Sequence, residues 1–150
     1  MKKVLYLAAG NPFKPRVGMD LVIHEHIKEL AQDPNIALTV VAVAPGIDGQ
    51  PAPGHYPVGA AQVDMFVGDL LTESGGLHRL RNKLKMVLSR SVPVMAYSFS
   101  SAPAASCIRA LVGKQKFDAI VIDHFYALTN IDLNQVRRSG ARLIYVSHDA

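Results

Sequence analysis

The chain has 150 residues, 49% of them hydrophobic, a formal net charge of +4 and a single cysteine, Cys107. That length suits one domain with a sizeable buried core, and the composition excludes a disordered chain. One thiol excludes an intrachain disulfide and a multi-thiolate metal site, and no apolar run reaches the roughly 20 residues that span a bilayer.

In chain order, Lys3–Ala9 is a short apolar run that reads as a buried strand. Its start mimics a signal peptide, but Asn11, Pro12 and Lys14 end the apolar stretch too early. A basic loop follows from Gly10 to Gly18. Asp20–Gln32 then has helical apolar spacing, with Asp20 as an N-cap or first-turn acid, and Asp33-Pro34 ends it. Ile36–Ala44 is a second strand, Pro45–Gly59 a loop and Ala61–Gly68 a third, weaker strand. Helices are predicted over Leu77–Ser89 and Ala105–Val112. Phe117–Ile122 is a fourth strand, Ile131–Ser139 a short helix or turn, and Ala141–Ser147 a fifth strand.

Strands alternate with helices, and the central strands are apolar on both faces. This predicts an α/β, Rossmann-like fold: one three-layer domain with a doubly wound, mostly parallel sheet, in an order such as 3-2-1-4-5. Ligands of such sheets bind beyond the carboxyl ends of the strands. The segments to inspect are therefore Gly10–Gly18, Pro45–Gly59, Asp123–Tyr126 and His148–Asp149.

The first loop, GNPFKPRVG, is glycine-bounded and basic and would precede a helix N-terminus, a place that favours an anion. Its spacing is neither a dinucleotide fingerprint nor a P-loop. The competing reading is an ordinary β–α connection. Two His/Asp pairs, Asp123-His124 and His148-Asp149, follow the fourth and fifth strands and would face one crevice. Alone, either pair reads better as polar residues capping the next element; their shared placement at one sheet edge brings the functional reading level with it. His24 and His26 lie two apart, do not share a helix face, and read as surface histidines rather than a metal site.

Residues 75–117 carry eight Lys/Arg and no acid. Within them, GLHRLRNKLKMVLSR has its leucines on one stripe and Arg79, Arg81, Lys83 and Lys85 among its cations. Such a helix can dock on an anionic membrane surface; the commoner alternative is a core helix with a solvated basic face. Nucleic acid is a poorer partner, since aromatics do not interleave with the cations.

Taken in order, these segments resemble the N-terminal domain of GT-B glycosyltransferases, most closely the family-four retaining enzymes. The resemblance runs through Leu5-Tyr6-Leu7, then Pro12, Pro15 and Gly18, and the helix Met19–Leu30. It continues through Leu38–Val43, Phe117–His124 and Ile144–Asp149. Val17 departs from the pattern, standing where many members have the first of two glycines.

The resemblance implies that Gly18 lies against a donor diphosphate, with Arg16 helping to neutralise it. His124 would line the acceptor cleft, with Asp123 and Asp149 beside it. His148 would support the reacting sugar by position and charge. No metal and no cofactor are implied; a nucleotide-sugar is the substrate, and the acceptor is a saccharide or lipid-linked. On this reading residues 1–150 are the acceptor-side domain, cut short, and a C-terminal domain supplies most of the donor site. The expected location is cytoplasmic, peripheral on the inner face of the membrane. The rival classes are a stand-alone Rossmann-like small-ligand or regulatory domain and a GT-B-related nucleotide-sugar epimerase. A receiver-type regulator is disfavoured, because Ala8-Ala9-Gly10 stands where its acidic cluster belongs.

Overall fold

The computed structural model describes residues 1–12, 18–45, 62–68, 84, 96 and 98–147. Its strands are β1 (Lys2–Ala9), β2 (Ile36–Ala44), β3 (Gln62–Val67), β4 (Ala119–Asp123) and β5 (Arg142–Val146). Its helices are α1 (Gly18–Gln32), α2 (Ala102–Lys114) and α3 (Leu133–Ser139), with a 3-10 helix over Phe125–Asn130. The five strands form one parallel sheet in the order β3-β2-β1-β4-β5, the doubly wound order expected from the sequence. The fold is α/β and Rossmann-like.

The period-2 alternation of the strands builds a core on each sheet face. On one face Val4, Tyr6 and Ala8 of β1 join Leu38, Val40 and Ala42 of β2 beneath Ile23 and Ile27 of α1. These two isoleucines, four apart on one stripe, are fully buried, each worth about 1.5–3 kcal/mol against exposure. On the other face Leu5, Leu7 and Ala9 meet Ile120 and Ile122 under Ile108 and Val112 of α2 and Val136 of α3.

Local chemistry explains where the elements start and stop. α2 begins three residues before the predicted Ala105, because Ser101 caps it: its hydroxyl accepts from the Ala104 N–H at 3.4 Å, and a proline occupies the first turn. The predicted segment Ile131–Ser139 resolves into α3 alone. Asp132 caps it by accepting from the N–H groups of Asn134 and Gln135 at 2.9 and 3.3 Å, and Gly140 (φ 74°) ends it in the left-handed conformation. The 3-10 helix fills a stretch that carries no 3.6-residue period. Of the predicted helix Leu77–Ser89 only Leu84 is among the described residues, and it is exposed. β5 is an edge strand whose Leu143, Ile144 and Tyr145 are all exposed. Among the described residues no helix is long and apolar enough to cross a membrane.

Cys107 of α2 sits half-buried, its thiol 3.7 Å from Asp64 Oδ2 on β3. Burial first, and then the Asp64 carboxylate, push this thiol from its ordinary 9.0 up to about 11. At neutral pH about a hundredfold less thiolate is present than for a free cysteine. Iodoacetamide labelling of the folded protein should therefore be slow at pH 7.5 and rise with a midpoint near 11, while Asp64→Asn moves that midpoint back toward 9.0. Because the folded thiol holds its proton longer, this group's contribution to stability is intact below pH 9 and is lost as pH rises toward 11.

Candidate functional site

The sheet order reverses between β1 and β4, which places the switch point at the carboxyl ends of those two strands. β1 ends in Gly10. Its φ of 149° is one that side-chain-bearing residues rarely adopt, and its N–H donates to the Val43 carbonyl at 2.9 Å. A Cβ there would stand 2.4 Å from Asp20 Oδ1. Asp20 is buried in the first turn of α1 and accepts from the Asn11 N–H at 3.1 Å. Asp20 thus sets a carboxylate in the first turn of α1, where the helix dipole favours negative charge. Gly18 opens α1, and none of the described residues comes within 4 Å of an added Cβ there, whereas Gly10 is closely approached by Asp20.

β4 ends in Asp123, and His124 follows it. Asp123 points to the α1 face and is fully buried. Tyr6 donates its hydroxyl to Asp123 Oδ2, and His26 Nδ1 lies 3.5 Å from the same oxygen and 3.4 Å from the Tyr6 hydroxyl. The carboxylate therefore joins β1, β4 and α1. Neither helix histidine is simply a surface residue. His26 is half-buried on Asp123, and His24 Nδ1 lies 2.7 Å from the Pro12 carbonyl oxygen. Residues two apart on a helix do point different ways, and here each finds a different partner. Tyr6 was the missed signal: a phenol inside a strand buried on both faces needs a hydrogen-bond partner.

His124 is buried and has a backbone at φ 69°, ψ 144°, alone among the described non-glycine residues in having a positive φ. Its N–H donates to the Val146 carbonyl at 3.0 Å, and its carbonyl accepts from the Ala127 N–H at 3.1 Å. Its Nδ1 accepts from the Tyr126 N–H at 3.5 Å, which caps the 3-10 helix. Such strain costs on the order of 1–3 kcal/mol and recurs at functional positions.

The imidazole joins an aromatic group. Its ring centroid lies 4.6 Å from Phe125 and 4.3 Å from Tyr126, and Tyr126 stacks on Phe99 at 4.9 Å. Buried Asn130 fixes the Phe99 segment, donating through Nδ2 to the Phe99 carbonyl at 2.7 Å and accepting at Oδ1 from the Ser101 N–H at 2.7 Å. Asn130 was not singled out from the sequence, since it lies in a segment without periodicity.

The structure thus brings Asp123 and His124 together beside Gly10, with Asp123 facing the interior. Arg16, His148, Asp149, Arg79, Arg81, Lys83 and Lys85 lie outside the described residues. A separate cavity of ≈ 460 Å³ opens between α2 and α3, lined by Arg109, Val112, Gln135 and Arg138; it touches none of the strand-end residues. No group of three or more potential metal ligands occurs among the described residues.

Neither a protein-family model nor a curated protein matches the chain. Two solved structures share its fold. The C-terminal domain of PF1911 hydrogenase from Pyrococcus furiosus has a TM-score of 0.55 at 10% identity, over 97% of this chain and 91% of that one. TcCGT1, a GT-B glycosyltransferase solved in complex with UDP, has a TM-score of 0.56 at 11% identity over 96% of this chain. This chain spans 27% of TcCGT1. At these identities the likeness establishes the fold alone, a Rossmann-like α/β domain.

Proposed function

We propose that the chain is the N-terminal, acceptor-side domain of a nucleotide-sugar-dependent glycosyltransferase acting on a saccharide or lipid-linked acceptor. The observation that carries this reading is His124, a buried imidazole at positive φ at the carboxyl end of β4, beside the switch point. The fold shared with a UDP-bound glycosyltransferase supports it.

In this reading His124 contacts the acceptor and Asp123 backs the strand end. His148 and Asp149 complete the edge after β5. Gly18 and Arg16 face the donor diphosphate, and most of the donor site comes from a second domain. Family-four chemistry with retention needs no metal from these residues. Arg79, Arg81, Lys83 and Lys85 would hold the protein on the anionic inner face of a membrane.

The test replaces His124 by Ala and by Gly in the intact enzyme and measures transfer from nucleotide-sugars to saccharide and lipid-linked acceptors. Both variants should lose about a hundredfold in kcat/KM. The Gly variant should be the more stable of the two by about 1 kcal/mol, reversing the usual order, because it relieves the positive φ. Unchanged turnover in both variants would remove the assigned role.

One observation favours a second reading. The chain covers 91% of the C-terminal domain of a hydrogenase, a likeness that suits a Rossmann-like small-ligand or regulatory module outside the glycosyltransferases. Ligand-detected NMR with UDP and with simple saccharides separates the two readings. Saturation transfer to a saccharide that vanishes in His124→Gly favours the transferase, and none to any saccharide favours the module.

A further inference from the structure

Tyr6, Asp123 and His26 make a polar cluster where the rest of that sheet face is apolar. Around them lie Ala8, Val121 and Ile23, and an apolar set of similar volume would fill the space without the cost of burying a carboxylate. Stability alone therefore gives no reason for this cluster. Its position gives one. Asp123 is the last residue of β4, and the next residue is the strained one.

Beyond Asp123 the chain is pinned by the His124 N–H on Val146, the His124 carbonyl on Ala127 and the His124 ring against Tyr126. Before it, the side chain of Asp123 is held on the α1 face by the Tyr6 hydroxyl, with His26 Nδ1 packed 3.5 Å from the same oxygen. A positive φ on a side-chain-bearing residue persists only when its surroundings over-determine it. The grip on Asp123 supplies the constraint on the upstream side.

We infer that Tyr6 and His26, acting through Asp123, are positioning residues that hold the His124 backbone in its positive-φ conformation and so aim its imidazole at the site. The functional meaning rests on His124 being the group that meets the acceptor; the coupling itself does not.

The test is backbone and histidine-ring NMR on the full chain carrying His26→Leu, His26→Gln or Tyr6→Phe. His26 is half-exposed, so its variants fold even if Tyr6→Phe does not. In His26→Leu, His124 and Phe125 should show a second set of amide and Cβ signals at about a tenth of the population or more. His26→Gln, whose amide can still donate to Asp123, should restore a single set. Tyr6→Phe should reproduce the Leu pattern. One unshifted His124 signal in His26→Leu overturns the inference, as does a Gln variant that behaves like Leu, which would make His26 a packing residue. Unchanged turnover in His124→Gly with doubled His124 signals in His26→Leu would sink the transferase reading and leave the coupling standing. Lost turnover with an unshifted signal would do the reverse.

Discussion

Tyr6→Phe is expected to cost about 2–4 kcal/mol of folding free energy, well above the roughly 1 kcal/mol of an ordinary buried hydroxyl. The excess comes from what is left behind. Asp123 has no exposed surface, and the Tyr6 hydroxyl donates to its Oδ2. His26 Nδ1, at 3.5 Å from that oxygen, is too far to replace the phenol with a good hydrogen bond. The variant thus keeps a buried acid while removing its close donor on β1. Removing both groups should hurt less than this logic would suggest by simple addition. Tyr6→Phe with Asp123→Leu should show a coupling energy of about 1–3 kcal/mol, because the double variant no longer buries the carboxylate. Urea denaturation of the two single variants and the double variant measures this directly. A Tyr6→Phe loss under about 1 kcal/mol, with additive behaviour, would mean that the hydroxyl is not a principal partner of Asp123.

That pair also marks how far the sequence can be read. Lys3–Ala9 and Ile36–Ala44 are recognisable because a central parallel strand is apolar on both faces, and that pattern is local. The strand order follows from alternation and the handedness of crossovers. Tyr6 within the first run carries a further implication, since a phenol there must find an acceptor. Which acceptor depends on register: Tyr6 sits opposite Val121 and Ala8 opposite Asp123, so the carboxylate falls diagonally across on the same face. No periodicity in the sequence gives that register.

His26 was hidden for a similar reason. Its spacing from His24 correctly argues against a shared metal, but says nothing about a carboxylate arriving from a strand almost a hundred residues later. The strain at His124 is equally invisible, since nothing about a histidine after a strand announces a positive φ. β5 is recognisable as a strand from its RLIYV segment, but the exposure of Leu143, Ile144 and Tyr145 depends on what lies beside an edge strand, which is a tertiary fact. In the first loop the two bounding glycines look alike in the sequence. The positive φ of Gly10 and the Asp20 carboxylate beside it distinguish it from Gly18, where none of the described residues comes within 4 Å of an added Cβ.

Gly68→Ala is expected to destabilise the fold by about 3 kcal/mol or more, through contact rather than conformation. Gly68 follows β3, is buried, and donates its N–H to the Ala44 carbonyl at 3.0 Å. Its φ is not positive, so an alanine backbone could adopt it. A Cβ, however, would lie 1.8 Å from the Ser98 carbonyl oxygen and 2.7 Å from its carbon. Those atoms are backbone and cannot rotate aside, so the segment itself must move by more than 1 Å to reach ordinary contact near 3.4 Å. Movement there propagates, because Phe99 follows directly, stacks on Tyr126 and is tied by its carbonyl to Asn130. Gly68→Ala should therefore weaken the aromatic group around His124 as well as the fold, and the ring-current shifts of Tyr126 should shrink toward random-coil values. Gly140→Ala is the matched control. Gly140 has φ 74°, but none of the described residues lies within 4 Å of an added Cβ, so its substitution should cost only the conformational penalty of about 1 kcal/mol. If thermal denaturation ranked Gly140→Ala as the more damaging, the close approach of Ser98 to β3 would not be what holds the Phe99 wall of the site in place.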